Sequence, residues 1–150
     1  MSLDDTDRRI LNRIQTRFPI TPRPYQVVAD ELGLTEKEVM ARIRRLKERD
    51  IIRRIGGNFV PEKVGFVSTL CAARVPDEQI AFFAETVNRY PGVTHNYQRD
   101  NDFNIWFTFI APTMAEIEEN LRQIALQTGV GPILNMPATR VFKIRAKFDL

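Results

Sequence analysis

The chain has 150 residues, with 22 Lys and Arg against 19 Asp and Glu, for a formal charge of +3. That length allows one ordinary domain or two small ones, and a 43% hydrophobic, 27% charged composition is a globular mixture that excludes wholesale disorder. No apolar run approaches the ~20 residues needed to span a bilayer. The acidic start Met1-Ser2-Leu3-Asp4-Asp5-Thr6-Asp7 is unlike a signal or transit peptide, so a cytoplasmic location is expected. One cysteine, Cys71, and one histidine, His95, exclude an internal disulfide and a closed Cys/His zinc site within one chain.

The first third reads as three short helices and a hairpin. Ile10, Leu11, Ile14 and Phe18 share a helical face over residues 4–17, and Pro19, Pro22 and Pro24 then interrupt the chain. Tyr25, Val28, Ala29 and Leu32 recur at helical spacing before Gly33. Thr35 and Glu38 form a capping box for a third helix that buries Val39, Ile43 and Leu46 and turns Arg42, Arg44 and Arg45 mostly outward. Ile51, Ile52 and Ile55, then Gly56-Gly57 and Phe59-Val60, predict a hairpin or wing. Seven basic residues against two acidic ones between Arg42 and Arg54 give a local +5, a field that would attract nucleic acid or a polycarboxylate and is equally met on a solvated helix face.

From Phe66 the texture changes. Phe66–Val75 reads as a strand, and residues 77–89 as a helix with Ile80, Phe83, Ala84 and Val87 on one side. After the Pro91-Gly92 turn, Val93–Arg99 and Phe103–Ile110 are strands joined by Asp100-Asn101-Asp102. Thr113 and Glu116 cap a helix with a stripe of Met114, Ile117, Leu121 and Ile124, ended by Gly129. Thr139–Phe148 reads as the last strand from the alternation of Phe142, Ile144 and Ala146 with Lys143, Arg145 and Lys147. The predicted fold is α+β: a winged helix-turn-helix over residues 1–62, followed by a ferredoxin-like βαββαβ domain over 63–150. Two helices cover one sheet face, so the other is solvated or closed by a partner.

Period-two alternation places Val93, His95, Tyr97 and Arg99 on one strand face, gathering an imidazole, a phenol and a guanidinium; the plainer alternative is a structural histidine beside a dimer sheet. Trp106 joins that face if the intervening loop is even in length and leaves it if odd. Arg53 and Arg54, beside two glycines, suit two-pronged contact with carboxylates or, on a DNA-binding wing, with phosphates. Lys63 is a further anion anchor. Cys71 lies in an apolar strand and is expected to be buried and inert.

The order of the two domains and the opening Leu3-Asp4-Asp5-Thr6-Asp7-Arg8-Arg9-Ile10-Leu11 resemble the Lrp/AsnC regulators. Phe18-Pro19-Ile20, Pro22-Arg23-Pro24-Tyr25, Arg53-Arg54-Ile55-Gly56-Gly57-Asn58-Phe59, Lys63-Val64-Gly65-Phe66, Gly92–Arg99 and Phe103–Thr108 are similar to one branch, the siroheme decarboxylase subunits of A type. The resemblance covers nearly the whole chain. It implies a lyase that removes CO2 from two acetate side chains of siroheme, with a homologous second subunit as partner, no membrane, and no cofactor beyond the iron tetrapyrrole substrate. It implies catalytic roles for His95, Tyr97 and Arg99, and substrate contacts for Arg53, Arg54, Asn58, Lys63 and Trp106. His95 would serve as proton donor, axial ligand to the substrate iron or carboxylate partner. The alternative from another class is an Lrp/AsnC-type regulator that binds DNA through Arg42, Arg44 and Arg45 and senses a small molecule. Against it stand Glu36, Glu38 and Glu48 on the same helix and the proline-rich insert before the second helix.

Overall fold

The computed structural model describes residues 3–57, 59–143 and 147–150. They form two compact units. One holds the chain up to Gly57 together with its last residues from Lys143, and the other is the stretch between, ending at Phe142.

The first unit is a three-helix bundle: α1 (Asp5–Ile14), α2 (Pro24–Leu32) and α3 (Glu36–Glu48). Each start has a sequence cause. Asp4 caps α1 by accepting from the Asp7 N–H at 2.7 Å, proline opens α2, and Thr35 caps α3 through the Glu38 N–H at 3.2 Å. Gly33 ends α2 at φ 69°, the left-handed conformation that L side chains avoid. Ile10, Leu11, Val28, Ala29, Val39, Ile43, Leu46 and Ile52 make the core.

Three expectations change here. No strand forms among the described residues of 51–60, so the wing is an irregular segment; Asn58 lies outside the described residues. Arg42 and Arg45 do not point outward. The Arg42 guanidinium donates to Asp4, to Asp7 at 2.8 Å and to Glu38 at 3.1 Å, and Arg45 donates to Asp7 at 2.9 Å. Asp7 is buried, and a buried carboxylate needs such partners, which draws both arginines onto α1. Arg44 is exposed, Arg45 is partly so with its side chain 43% exposed, and Arg42 is largely enclosed. Third, the end of the chain packs on α1. The Asn12 carboxamide bonds both C=O and N–H of Leu150, at 2.9 and 3.3 Å, and Gln15 does the same for Phe148, at 2.7 and 3.0 Å.

The second unit carries β1 (Val67–Ala73), α4 (Ile80–Asn88), β2 (Val93–Gln98), β3 (Ile105–Ala111), α5 (Met114–Thr128) and β4 (Leu134–Met136). The antiparallel sheet has the order β2-β3-β1-β4, the arrangement expected of a βαββαβ chain. Both helices pack on one face, where Cys71, Ala73, Phe83, Val87, Phe107, Phe109, Ile117 and Ile124 form the core. Among the described residues the last strand is Leu134–Met136, upstream of the expected Thr139–Phe148 and paired with Leu70, Cys71 and Ala72. Its centre, Asn135, turns to the helix side, where its Oδ1 accepts from the Thr69 hydroxyl at 2.7 Å. Residues 139–143 and 147–148 form no strand, and Phe142 is 85% exposed; residues 144–146 of the expected strand lie outside the described residues.

Candidate functional site

The uncovered face of the sheet is set by the pairing of β2 with β3. His95 lies opposite Thr108, and Tyr97 opposite Trp106. On β3 the alternation is strict: Ile105, Phe107, Phe109 and Ala111 are buried, and Trp106, Thr108 and Ile110 are half-buried on the other face. His95 and Tyr97 therefore share the open face with Trp106. Six residues, 99–104, separate the paired positions Gln98 and Ile105, an even number, which resolves the placement of Trp106.

The sequence expectation for Val93 fails. Val93 pairs with Phe109 but His95 pairs with Thr108, so β2 advances two residues where β3 advances one. This bulge puts Val93 against the core and turns His95, two positions later, to the open side. Gly92 sits where the strands come closest: its carbonyl accepts from the Ile110 N–H at 2.8 Å, and a Cβ there would lie 2.2 Å from the Ile110 carbonyl oxygen. Only glycine permits that approach.

The side chains on this face touch. The His95 and Tyr97 rings stack with centroids 6.0 Å apart and planes 25° from parallel. The Arg99 guanidinium lies 5.8 Å from the Trp106 ring centre, within cation–π range. The Trp106 indole N–H donates to the Phe103 carbonyl at 2.5 Å, which fixes the ring. His95, Arg99 and Tyr97 are exposed, Tyr97 to 47%. Leu70 and Ala72 of β1, with Leu134 and Met136 of β4, extend the face. Sequence reasoning did not single these four out, because only the β1–β4 register reveals them.

Arg53 and Arg54 belong to the first unit, where they line a cavity of about 720 Å³ with Ile14, Phe18, Ile55 and Phe148. Lys63 is exposed in a short 3₁₀ turn, Pro61–Val64, ahead of β1. The face on β2 and β3 thus brings together His95, Tyr97, Arg99 and Trp106, while Arg53, Arg54 and Lys63 stand elsewhere on the chain. Among the described residues no cluster of three or more His, Cys, Asp or Glu is placed to hold a metal ion, and no helix is long and apolar enough to cross a membrane.

Cys71 sits on the other side of the sheet. Its burial pushes the thiol up to about 12, so it stays protonated and unreactive at neutral pH.

Known proteins agree with this layout. Residues 7–53 match the family model of the siroheme decarboxylase NirDL-like HTH domain, and residues 63–143 that of the AsnC-like ligand binding domain. The siroheme decarboxylase alpha subunit of Desulfovibrio desulfuricans is 55% identical over 148 residues, 99% of this chain and 85% of that protein. The crystal structure of the siroheme decarboxylase NirDL in co-complex with an iron-uroporphyrin III analogue matches at 32% identity and TM-score 0.65, over 92% of this chain and 47% of that one, so the chain spans about half its length. The leucine response regulatory protein LrpA of Mycobacterium tuberculosis shares the fold, with TM-score 0.82 at 20% identity over 97% of this chain and 99% of that one. An identity above one half along nearly the whole chain, with a helix-turn-helix of the decarboxylase kind and an AsnC-like sheet domain behind it, places this protein in the siroheme decarboxylase family.

Proposed function

We propose that the chain is one subunit of a siroheme decarboxylase, a carbon–carbon lyase that removes CO2 from two acetate side chains of siroheme and leaves methyl groups, giving didecarboxysiroheme on a route to haem or d1 haem. The observation that carries this reading is the open sheet face that holds the chain's one histidine and one tryptophan beside a phenol and a guanidinium. Each suits one demand of the reaction. As the acetate C–C bond breaks, its electron pair stays on the methylene carbon and is shared by the conjugated macrocycle, CO2 departs, and a proton must reach that carbon. The macrocycle is the electron sink, and the reaction needs no further cofactor. His95, as imidazolium, gives the proton. Tyr97 and Trp106 offer flat walls to the ring, and Arg99 a fork for a carboxylate. Lys63, exposed ahead of β1 in the same unit, is a further candidate anchor for a substrate carboxylate. A homologous partner subunit closes the open sheet face, which makes the site a shared one. That a solved NirDL relative holds an iron-uroporphyrin III analogue supports an iron tetrapyrrole as ligand.

The regulator reading is weaker. Two of the three arginines that would meet DNA are engaged by Asp4, Asp7 and Glu38. The test is His95→Ala assayed with its partner subunit. The exposed imidazole supports no core, so the variant should melt as the wild type does and bind siroheme comparably, with turnover lower by about 10²–10⁴, the worth of a positioned general acid. Turnover near wild type would remove His95 from the reaction and shift the site to the partner.

A further inference from the structure

The bulge in β2 changes the company that His95 keeps. In a regular strand successive side chains point to opposite faces, and a hydroxyl cannot reach the ring of the next residue. Here Thr94 is the extra residue, without a cross-strand counterpart between Val93 and His95. Both Thr94 and His95 are exposed, and the Thr94 hydroxyl oxygen lies 3.0 Å from His95 Nδ1. Thr108 stands opposite His95, and the Tyr97 ring stacks beside it. One nitrogen of the imidazole is thus engaged by the strand's own irregularity, and the other, Nε2, has no hydrogen-bond partner among the described residues and stands open to a ligand.

We propose that Thr94 is a positioning residue for His95: its hydroxyl accepts from Nδ1–H, fixes the ring, and leaves Nε2 as the atom that delivers the proton. For its chemistry the proposal rests on the decarboxylase reading. The imidazolium carries both N–H groups. On transfer, the Nε2–H bond breaks, its electron pair stays on Nε2, and the new C–H bond forms with the electrons released by loss of CO2. The neutral ring that remains carries its hydrogen on Nδ1, still donated to Thr94, so neither ring nor hydroxyl rearranges during the step. The logic is that of an acceptor that holds a catalytic imidazole in one tautomer. Gly92 is part of the same device, because its missing Cβ admits the strand approach from which the bulge starts.

The experiment uses Thr94→Val and Thr94→Ser, each paired with the partner subunit. Valine keeps the β-branched shape that suits a strand and removes only the hydroxyl; serine restores it. Thr94→Val should keep the wild-type melting temperature and bind siroheme within about twofold, with kcat lower by about tenfold, the worth of one orienting hydrogen bond. Thr94→Ser should recover most of the rate. A second readout needs no activity: the protein has a single histidine, so ¹⁵N shifts of its imidazole report the tautomer directly. The neutral ring should be Nδ1-protonated in the wild type and in Thr94→Ser, and lose that preference in Thr94→Val. An unchanged tautomer in Thr94→Val overturns the proposal, as does a changed tautomer with unchanged kcat. A wild-type pair that leaves siroheme intact would instead defeat the decarboxylase reading, and the ¹⁵N comparison would still decide the Thr94–His95 contact by itself.

Discussion

His95 and Cys71 occupy opposite faces of one sheet, and that placement separates a group open to chemistry from one sealed against it. The thiol, fully buried and held up to about 12, should resist iodoacetamide in the native protein at neutral pH and react at once in denaturant. Mass analysis of the alkylated chain checks this, and rapid native labelling would show that the β1 core opens readily. Asp7 is the other residue whose burial decides its role. Its side chain is 2% exposed and shared by Arg42 and Arg45. Asp7→Ala should lower stability to urea by about 2–4 kcal/mol, somewhat less than a fully buried pair loses, because Arg45 remains 43% exposed and can rehydrate. A loss below about 1 kcal/mol would mean that the network is peripheral to the bundle. Cys71 was legible from its apolar strand. The inward turn of Arg42 and Arg45 was not, since helical spacing gives direction only relative to the helix and the carboxylate that attracts them lies on another element.

Helix starts were the most legible elements. Thr35 and Thr113, read as caps from sequence, accept from the Glu38 and Glu116 N–H groups at 3.2 Å each, and Asp4, which the sequence reading did not single out, caps α1 in the same way. The Asp4 cap gives a pH dependence. Its bonds to the Arg42 guanidinium, then to the Asp7 N–H, hold its carboxyl below the ordinary value of 3.8. Asp4 therefore favours the folded state above that value, and its contribution disappears as pH falls through the lowered folded-state value. Thermal melts should show the first unit losing stability below about pH 4, and Asp4→Asn, which caps without charge, should flatten that loss. An unchanged acid limb in Asp4→Asn would assign it to other carboxylates, such as Glu31 beside Arg13. Strands were less legible at their edges. The bulge after Val93 leaves no mark in an alternating sequence, because the extra residue, Thr94, is itself a good strand former. The alternation at 139–148 looked stronger than the three residues 134–136, but Asn135 has a hydrogen-bond partner across the sheet in Thr69, while Phe142 is exposed and meets Arg140, its guanidinium 4.9 Å from the ring.

For the molecule as a whole, the two-domain order, the helix-turn-helix and the βαββαβ sheet were readable from sequence. Alternation alone put His95, Tyr97 and Arg99 on one face, but the addition of Trp106 depended on a loop parity that only the register supplies. The same open face explains why the activity is proposed for a pair of chains. Leu70, 42% exposed, lies near its centre with Met136 opposite. A partner sheet would cover both, and a charge there would have to be buried. Leu70→Asp should fold normally and sediment as a separate chain when mixed with its homologous partner, whereas the wild type should sediment as the pair. Co-sedimentation of the variant would place the interface elsewhere. The central claim, that this chain with its partner decarboxylates siroheme, is tested most directly by mass spectrometry of the tetrapyrrole after incubation with the purified pair. The account predicts conversion of siroheme to a product lighter by two CO2, through an intermediate lighter by one. Siroheme recovered unchanged from a pair that binds it would contradict the account.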